Sequence, residues 1–120
     1  MKEREWRFYI TDMIEFCEKI MSYTGDSTRE EFFSEPITYE ATLWNLRLIG
    51  EAATHIPSDV VGANPHIQWS QIIGMRHRLT HGYLDFNENV VWTAINVEVP
   101  RLLDDLRELL ISINRSNEND

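Results

Sequence analysis

Apolar positions recur at three- and four-residue spacing through most of this 120-residue chain, a period that predicts helices rather than strands. Trp6, Tyr9, Ile10, Met13, Ile14, Phe16, Cys17, Ile20 and Met21 trace a helix over residues 3–23, and Gly25 is its natural stop. Ser27-Thr28-Arg29-Glu30 has the form of a capping box, in which the Ser27 hydroxyl and the Glu30 carboxylate satisfy open amides and start a short helix over 28–33. Pro36 marks the next boundary. From Ile37 to Ile56 a second long segment sets Ile37, Ala41, Trp44, Leu48, Ala52 and Ile56 on one stripe, with Leu46, Ile49 and Ala53 beside it.

Pro57, Gly62 and Asn64-Pro65 break residues 58–68 into a short helical turn and a loop. A third long segment, 69–83, places Trp69, Ile72, Ile73, Arg76, Leu79 or Thr80, and Tyr83 along one side. Gly82 is a poor interior helix residue, and Asp85-Phe86-Asn87 supplies a turn and an N-cap. A last helix over 88–114 runs through Val91, Ile95, Val99, Leu102, Leu106, Leu109 or Leu110, and Ile113. Pro100 inside it lacks a donor and crowds the carbonyl of Asn96, which predicts a kink or a break. The four tryptophans, Trp6, Trp44, Trp69 and Trp92, all fall at apolar phases and are expected in the core. With no repeat and no β-like alternation, the fold expected is all-α: one up-and-down bundle of four to five helices over 1–115, followed by a frayed polar tail over 116–120.

Composition narrows the setting. Hydrophobic residues make up 42% and charged residues 26%, the balance of a soluble globular domain. No apolar run approaches the roughly 20 residues of a membrane span, and Met-Lys-Glu-Arg-Glu-Trp is no signal peptide, so a cytoplasmic protein is expected. The single cysteine, Cys17, is expected to be a buried, inert thiol. A net charge of −9 argues against a broad, sequence-independent nucleic-acid surface, and leaves room only for a short contact where cations are densest.

That place is Arg76-His77-Arg78-Leu79-Thr80-His81-Gly82-Tyr83. Arginine offers a planar, permanently charged fork that matches phosphate oxygens, and histidine titrates near neutrality, so the stretch points to phosphodiester chemistry. On an ideal helix Arg76 and His81 point about 140° apart, which one straight helix cannot close around a single phosphate. Either the helix distorts near Gly82, or two copies meet across a twofold axis, and the dimer is the simpler solution. His77 and His81 have the spacing of paired metal ligands, but Arg78 stands where the zinc motif carries Glu, and a cation opposes binding. Neither a metal nor a cofactor is assigned. Arg47 and Glu51 have the spacing of an exposed helix salt bridge. Glu51 also follows Gly50, where another helix can approach closely, so it is a candidate to line the cleft that holds the motif.

The order Arg76, His81, Tyr83 near a helix end, preceded by Ile49-Gly50-Glu51-Ala52-Ala53 and by Pro65-His66-Ile67-Gln68-Trp69-Ser70-Gln71-Ile72-Ile73-Gly74-Met75, resembles HepT-like proteins of the HEPN superfamily over residues 5–112. The resemblance implies a helical bundle that dimerises so that two motifs form a metal-independent ribonuclease site. It further implies a toxin of a type VII-like toxin–antitoxin pair, whose antitoxin is an MNT-type nucleotidyltransferase that transfers AMP from ATP to the motif tyrosine. Carried over, Arg76 and His81 are catalytic, Tyr83 is the AMPylated residue, and His77, Arg78 and Glu51 are supporting. Relatives often carry Asn or Asp where this chain has His77. In the implied reaction His81 acts as acid/base on an RNA 2′-hydroxyl, Arg76 stabilises the phosphoryl charge, and a 2′,3′-cyclic phosphate results. The RNA target, tRNA or mRNA, and any larger complex with the antitoxin stay open. The competing reading is a non-catalytic subunit that binds nucleotide or substrate for a nucleotidyltransferase.

Overall fold

The computed structural model describes residues 5–81 and 87–118, with the backbone alone for Thr80, His81 and residues 117–118. Every regular element among these residues is helical. Two long helices, α1 (Trp6–Thr24) and α3 (Pro36–Ala53), are joined through the short α2 (Arg29–Phe33). The short α4 (Ser58–Ala63) leads to α5 (Trp69–His81). After residue 86 come α6 (Glu88–Thr93), a π-helical segment over Ala94–Glu98, and α7 (Val99–Glu118). Packing follows the order α5, α3, α1, α7, so that α1 and α3 form the middle of the domain and α5 rides on the far side of α3.

The core is the inner stripe of each helix. Ile10, Met13, Cys17 and Ile20 of α1 meet Leu46, Ile49 and Ala53 of α3, and Val99, Leu103 and Leu106 of α7. Phe32 of α2 is fully enclosed, with Phe33, Tyr39 and Trp92 around it as a cluster of tilted and edge-on rings. Trp69 is buried and donates its indole N–H to the Asn64 carbonyl at 3.0 Å, which ties the start of α5 to the end of α4.

Three expectations need correction. The capping box exists one residue later than expected, at Thr28 and Glu31. The Ser27 amide already donates to Thr24 O, so the first amide open to a carboxylate is that of Thr28, which donates to Glu31 Oε1 at 3.1 Å. Pro100 does not end the helical run. The preceding turn widens into the π-helical segment, and the rod continues to Glu118, past the expected end at 114.

The third correction concerns α3, whose inward face keeps Ala52 of the expected stripe and the flanking Leu46, Ile49 and Ala53, and adds Thr42 and Asn45. Thr42 and Asn45 enter the core because each satisfies its polar group locally. The Thr42 hydroxyl donates to Thr38 O and the Asn45 amide to Ala41 O, both at 2.8 Å. That rotation turns Ile37 and Trp44 outward, 83% and 55% exposed, whereas Trp6 and Trp92 pack against the core and Trp69 lies within it.

Among the described residues no helix is long and apolar enough to cross a membrane. Cys17 is fully covered, and burial, with Glu18 nearby, pushes its thiol up to about 12. The native chain is therefore expected to resist thiol-reactive disulfide reagents at mildly alkaline pH and to react at once in concentrated guanidinium. Rapid labelling of the folded chain would show that the α1–α7 seam opens.

Candidate active site

The α3–α5 crossing builds the site. Gly50 is buried on α3, and a Cβ placed there would lie 2.8 Å from the Ile72 carbonyl oxygen and closer still to the Cβ of Arg76. Only a residue without a side chain lets the α5 backbone pass at this distance. The contact fixes Arg76 against α3 beside the next residue, Glu51, and Arg76 Nε lies 2.6 Å from Glu51 Oε2. Both side chains keep solvent access, at 38% and 46% exposure, so the pair sits at the lip of the crossing and not beneath it.

Glu51 connects further. Its other oxygen, Oε1, lies 3.9 Å from His55 Nε2, and the His55 ring stacks on Tyr9 of α1, with centroids 4.4 Å apart and planes 9° from parallel. Tyr9, His55, Glu51 and Arg76 thus form a continuous row across α1, the end of α3, and α5. His55 was not anticipated from sequence. Its signal was the Glu51-x-x-x-His55 spacing at the end of a helix, the same spacing that was read instead upstream as Arg47 with Glu51. The structure gives the Glu51 carboxylate to Arg76, and lays the Arg47 guanidinium over the Trp44 ring, 5.0 Å from its centroid.

The remaining motif residues separate. His77 is exposed on α5, and Arg78, about 200° around the helix from Arg76, lines a groove on the opposite side. The backbone of α5 is α-helical through His81, its last residue, so positions 76 and 81 keep the helical offset of about 140°. Tyr83 and Gly82, with the turn expected at Asp85-Phe86, lie outside the described residues. The structure therefore brings Arg76 and Glu51 together and sends Arg78 elsewhere. Among the described residues no three His, Cys, Asp or Glu side chains cluster as metal ligands would.

An arginine held at a helix crossing by a carboxylate, on a surface with access to solvent, can present positive charge to a phosphate without first ordering a long side chain. The comparisons point the same way. The family model described as "Ribonuclease HepT-like" matches residues 13–109. A "Putative RNase" of Methanocaldococcus jannaschii is 28% identical over 119 residues, 99% of this chain and 98% of its own length. A "Probable ribonuclease HepT" of Thermococcus cleftensis is 31% identical over 100 residues, covering 83% of this chain and 91% of its own. A "Putative RNase" of Caldanaerobacter subterraneus is 29% identical over 104 residues, 87% and 93% of the two chains. No solved structure matches.

Gly50→Ala is expected to force α5 off α3, costing about 1–3 kcal/mol as an overpacked contact does. The measurement is the denaturant midpoint at unchanged slope, and a variant as stable as the parent would show that the crossing tolerates a methyl group.

Proposed function

Because this chain belongs to the HepT-like ribonuclease family, we propose that it cleaves RNA without a metal ion, through Arg76 and His81 contributed by two copies of the chain. The observation that carries the reading is Arg76 itself, seated at the Gly50 crossing and ion-paired at the surface with Glu51. A phosphate arriving there takes over part of the guanidinium from the carboxylate, and the half-exposed setting keeps that exchange inexpensive.

In this mechanism one His81 imidazole removes the proton of a ribose 2′-hydroxyl. The 2′-oxygen attacks the adjacent phosphorus, Arg76 stabilises the charge on the non-bridging oxygens, and the bond to the 5′-oxygen breaks. The leaving oxygen takes a proton from the second imidazole, giving a 2′,3′-cyclic phosphate and a 5′-hydroxyl. Glu51 supports the site by aiming Arg76, and His77 adds a polar side chain on the exposed face of α5, whereas Arg78 leaves on the opposite side of that helix.

The reading calls for two copies because positions 76 and 81 lie at different phases of α5. The exposed face of α3 favours such pairing. Ile37 and Trp44 stand out from it, and Trp44 and Glu51, seven residues apart, fall within about 20° of each other at a rise of about 10 Å. A second copy covering this apolar stripe would lie next to Arg76, and large exposed apolar residues of this kind mark interaction sites.

The same reading makes the protein a cytoplasmic toxin held in check by an MNT-type nucleotidyltransferase antitoxin. AMP transferred to the Tyr83 hydroxyl would place bulk and negative charge two residues beyond His81, repelling the RNA backbone. The net charge of −9 favours one competitor, a non-catalytic subunit that holds nucleotide for such a transferase.

RNA cleavage by partner-free protein in excess chelator separates the two. Arg76→Ala is expected to lower the rate by about 10²–10³-fold and His81→Ala by about 10²–10⁴-fold. Full cleavage by His81→Ala would remove the mechanism, and nucleotide binding with no cleavage by the parent chain would favour the subunit. For the switch, mass spectrometry of protein coexpressed with an MNT-type transferase should find AMP units on the peptide carrying Tyr83 and none on Tyr83→Phe. An unmodified Tyr83 peptide would count against it.

A further inference from the structure

Glu51 divides its two carboxylate oxygens between two basic side chains. Oε2 lies 2.6 Å from Arg76 Nε, and Oε1 lies 3.9 Å from His55 Nε2. The second distance is too long for a hydrogen bond from a neutral imidazole, but it is within ion-pair range once the ring carries a second proton. α3 ends at Ala53, and in the turn that follows the Thr54 amide donates to Glu51 O at 3.2 Å and the His55 amide to Ala52 O at 3.0 Å. That turn sets His55 four residues past Glu51 on the same edge, and the Tyr9 ring of α1 fixes the imidazole plane by stacking on it. The ring is half exposed and yet held in place from two sides.

Histidine is the side chain whose charge changes in the neutral range. With the ring neutral, the carboxylate serves the guanidinium alone. With the ring protonated, one carboxylate stands between two cations, and each holds it less firmly than it would by itself. The other charged and titratable side chains on the elements packed around this point are Arg7, Tyr9 and Asp12 of α1, Arg76 and His77 of α5, and Asp59 of α4. Arg7 is paired with Glu5 at 2.8 Å. Among the described residues, the groups in direct contact with the imidazole are the Tyr9 ring and the Glu51 carboxylate. A change of charge on His55 is therefore felt first by Glu51, and through it by Arg76.

We propose that His55 is a positioning residue for Arg76 that acts through Glu51: the neutral ring leaves the carboxylate to hold the guanidinium, and the protonated ring draws it off, freeing the guanidinium for a phosphate. That a phosphate is what arrives rests on the ribonuclease reading, whereas the coupling of the three side chains does not. His55, Glu51 and Arg76 are 48%, 46% and 38% exposed, so water screens the exchange. The effect is accordingly about two- to fivefold, a modulation and not a switch.

The test follows the Arg76 Nε–H resonance and the ring resonances of the four histidines by NMR, as the full chain without RNA is taken from about pH 8 to about pH 5.5. The Arg76 signal is expected to move with the inflection of His55 and not with those of His66, His77 or His81. It should keep its high-pH position throughout in His55→Gln and its low-pH position throughout in His55→Lys. An Arg76 signal that ignores the His55 inflection in the parent chain overturns the proposal, and that arm needs no substitution that could misfold. For the phosphate, the probe is a short single-stranded oligodeoxynucleotide, which lacks the 2′-hydroxyl and is not cut. Its binding should be about two- to fivefold tighter in His55→Lys than in His55→Gln, and the difference should shrink when both also carry Glu51→Gln. Equal binding by the two variants, or a difference undiminished by Glu51→Gln, overturns the action through Glu51. If Arg76 follows His55 while the chain cuts no RNA, the positioning stands and the ribonuclease reading fails; if RNA is cut and Arg76 ignores His55, the reverse holds.

Discussion

Where α3 crosses α5, the space a side chain would occupy at Gly50 is filled by the backbone of Ile72 and Arg76. That single steric condition sets Arg76 against Glu51. It brings Arg76 to the residue after Gly50, so that the partner of the guanidinium is Glu51 and not a more distant acid. The Arg76–Glu51 pair adds little to stability, since half-exposed ion pairs contribute about 0–1 kcal/mol. The energy of the crossing comes from Leu46, Ile49, Ala53 and Leu79, and the pair serves to orient a charge.

The helices were legible in the sequence because their apolar period is strong, and the family was legible in three ordered segments around Gly50, Trp69 and Arg76. The face of α3 was legible only in part, since Leu46, Ile49, Ala52, Ala53 and Ile56 are buried as expected while Ile37 and Trp44 stand exposed. Counting apolar residues alone favoured Ile37, Trp44 and Leu48, whereas the core takes Thr42 and Asn45. Short polar side chains can bond the carbonyl one turn back, which removes the cost of burying them and lets a less apolar stripe face inward. A pattern that scores hydrophobicity residue by residue does not register that local satisfaction.

The same reasoning explains why Glu51 was placed by its glycine neighbour and missed by its helical spacing. An i,i+4 cation is always within reach of a carboxylate, so Arg47 looked like its partner. Tertiary packing supplied a nearer one, and Arg47 lies on the exposed Trp44 ring. His55 follows Glu51 by one turn and would have been found by asking which groups lie along the same edge rather than which pair best. Pro100 shows the other limit of local rules. Its missing donor was absorbed by a widened turn that keeps the helix going, and the disturbance moved into the geometry of the wall facing α5.

An acidic chain that handles a polyanion has to confine its positive charge. Here α5 does so by dividing it: Arg76 and Arg78 leave opposite sides of one helix, the first toward α3 and the second toward the groove. Each faces a carboxylate on its side, Glu51 on one and Glu98 and Asp105 across the groove on the other. Neither surface is basic enough to hold nucleic acid by counterion release alone, which requires many neutralised phosphates. Affinity on such a chain must instead come from shape and from apolar contact with bases, with the arginines setting position.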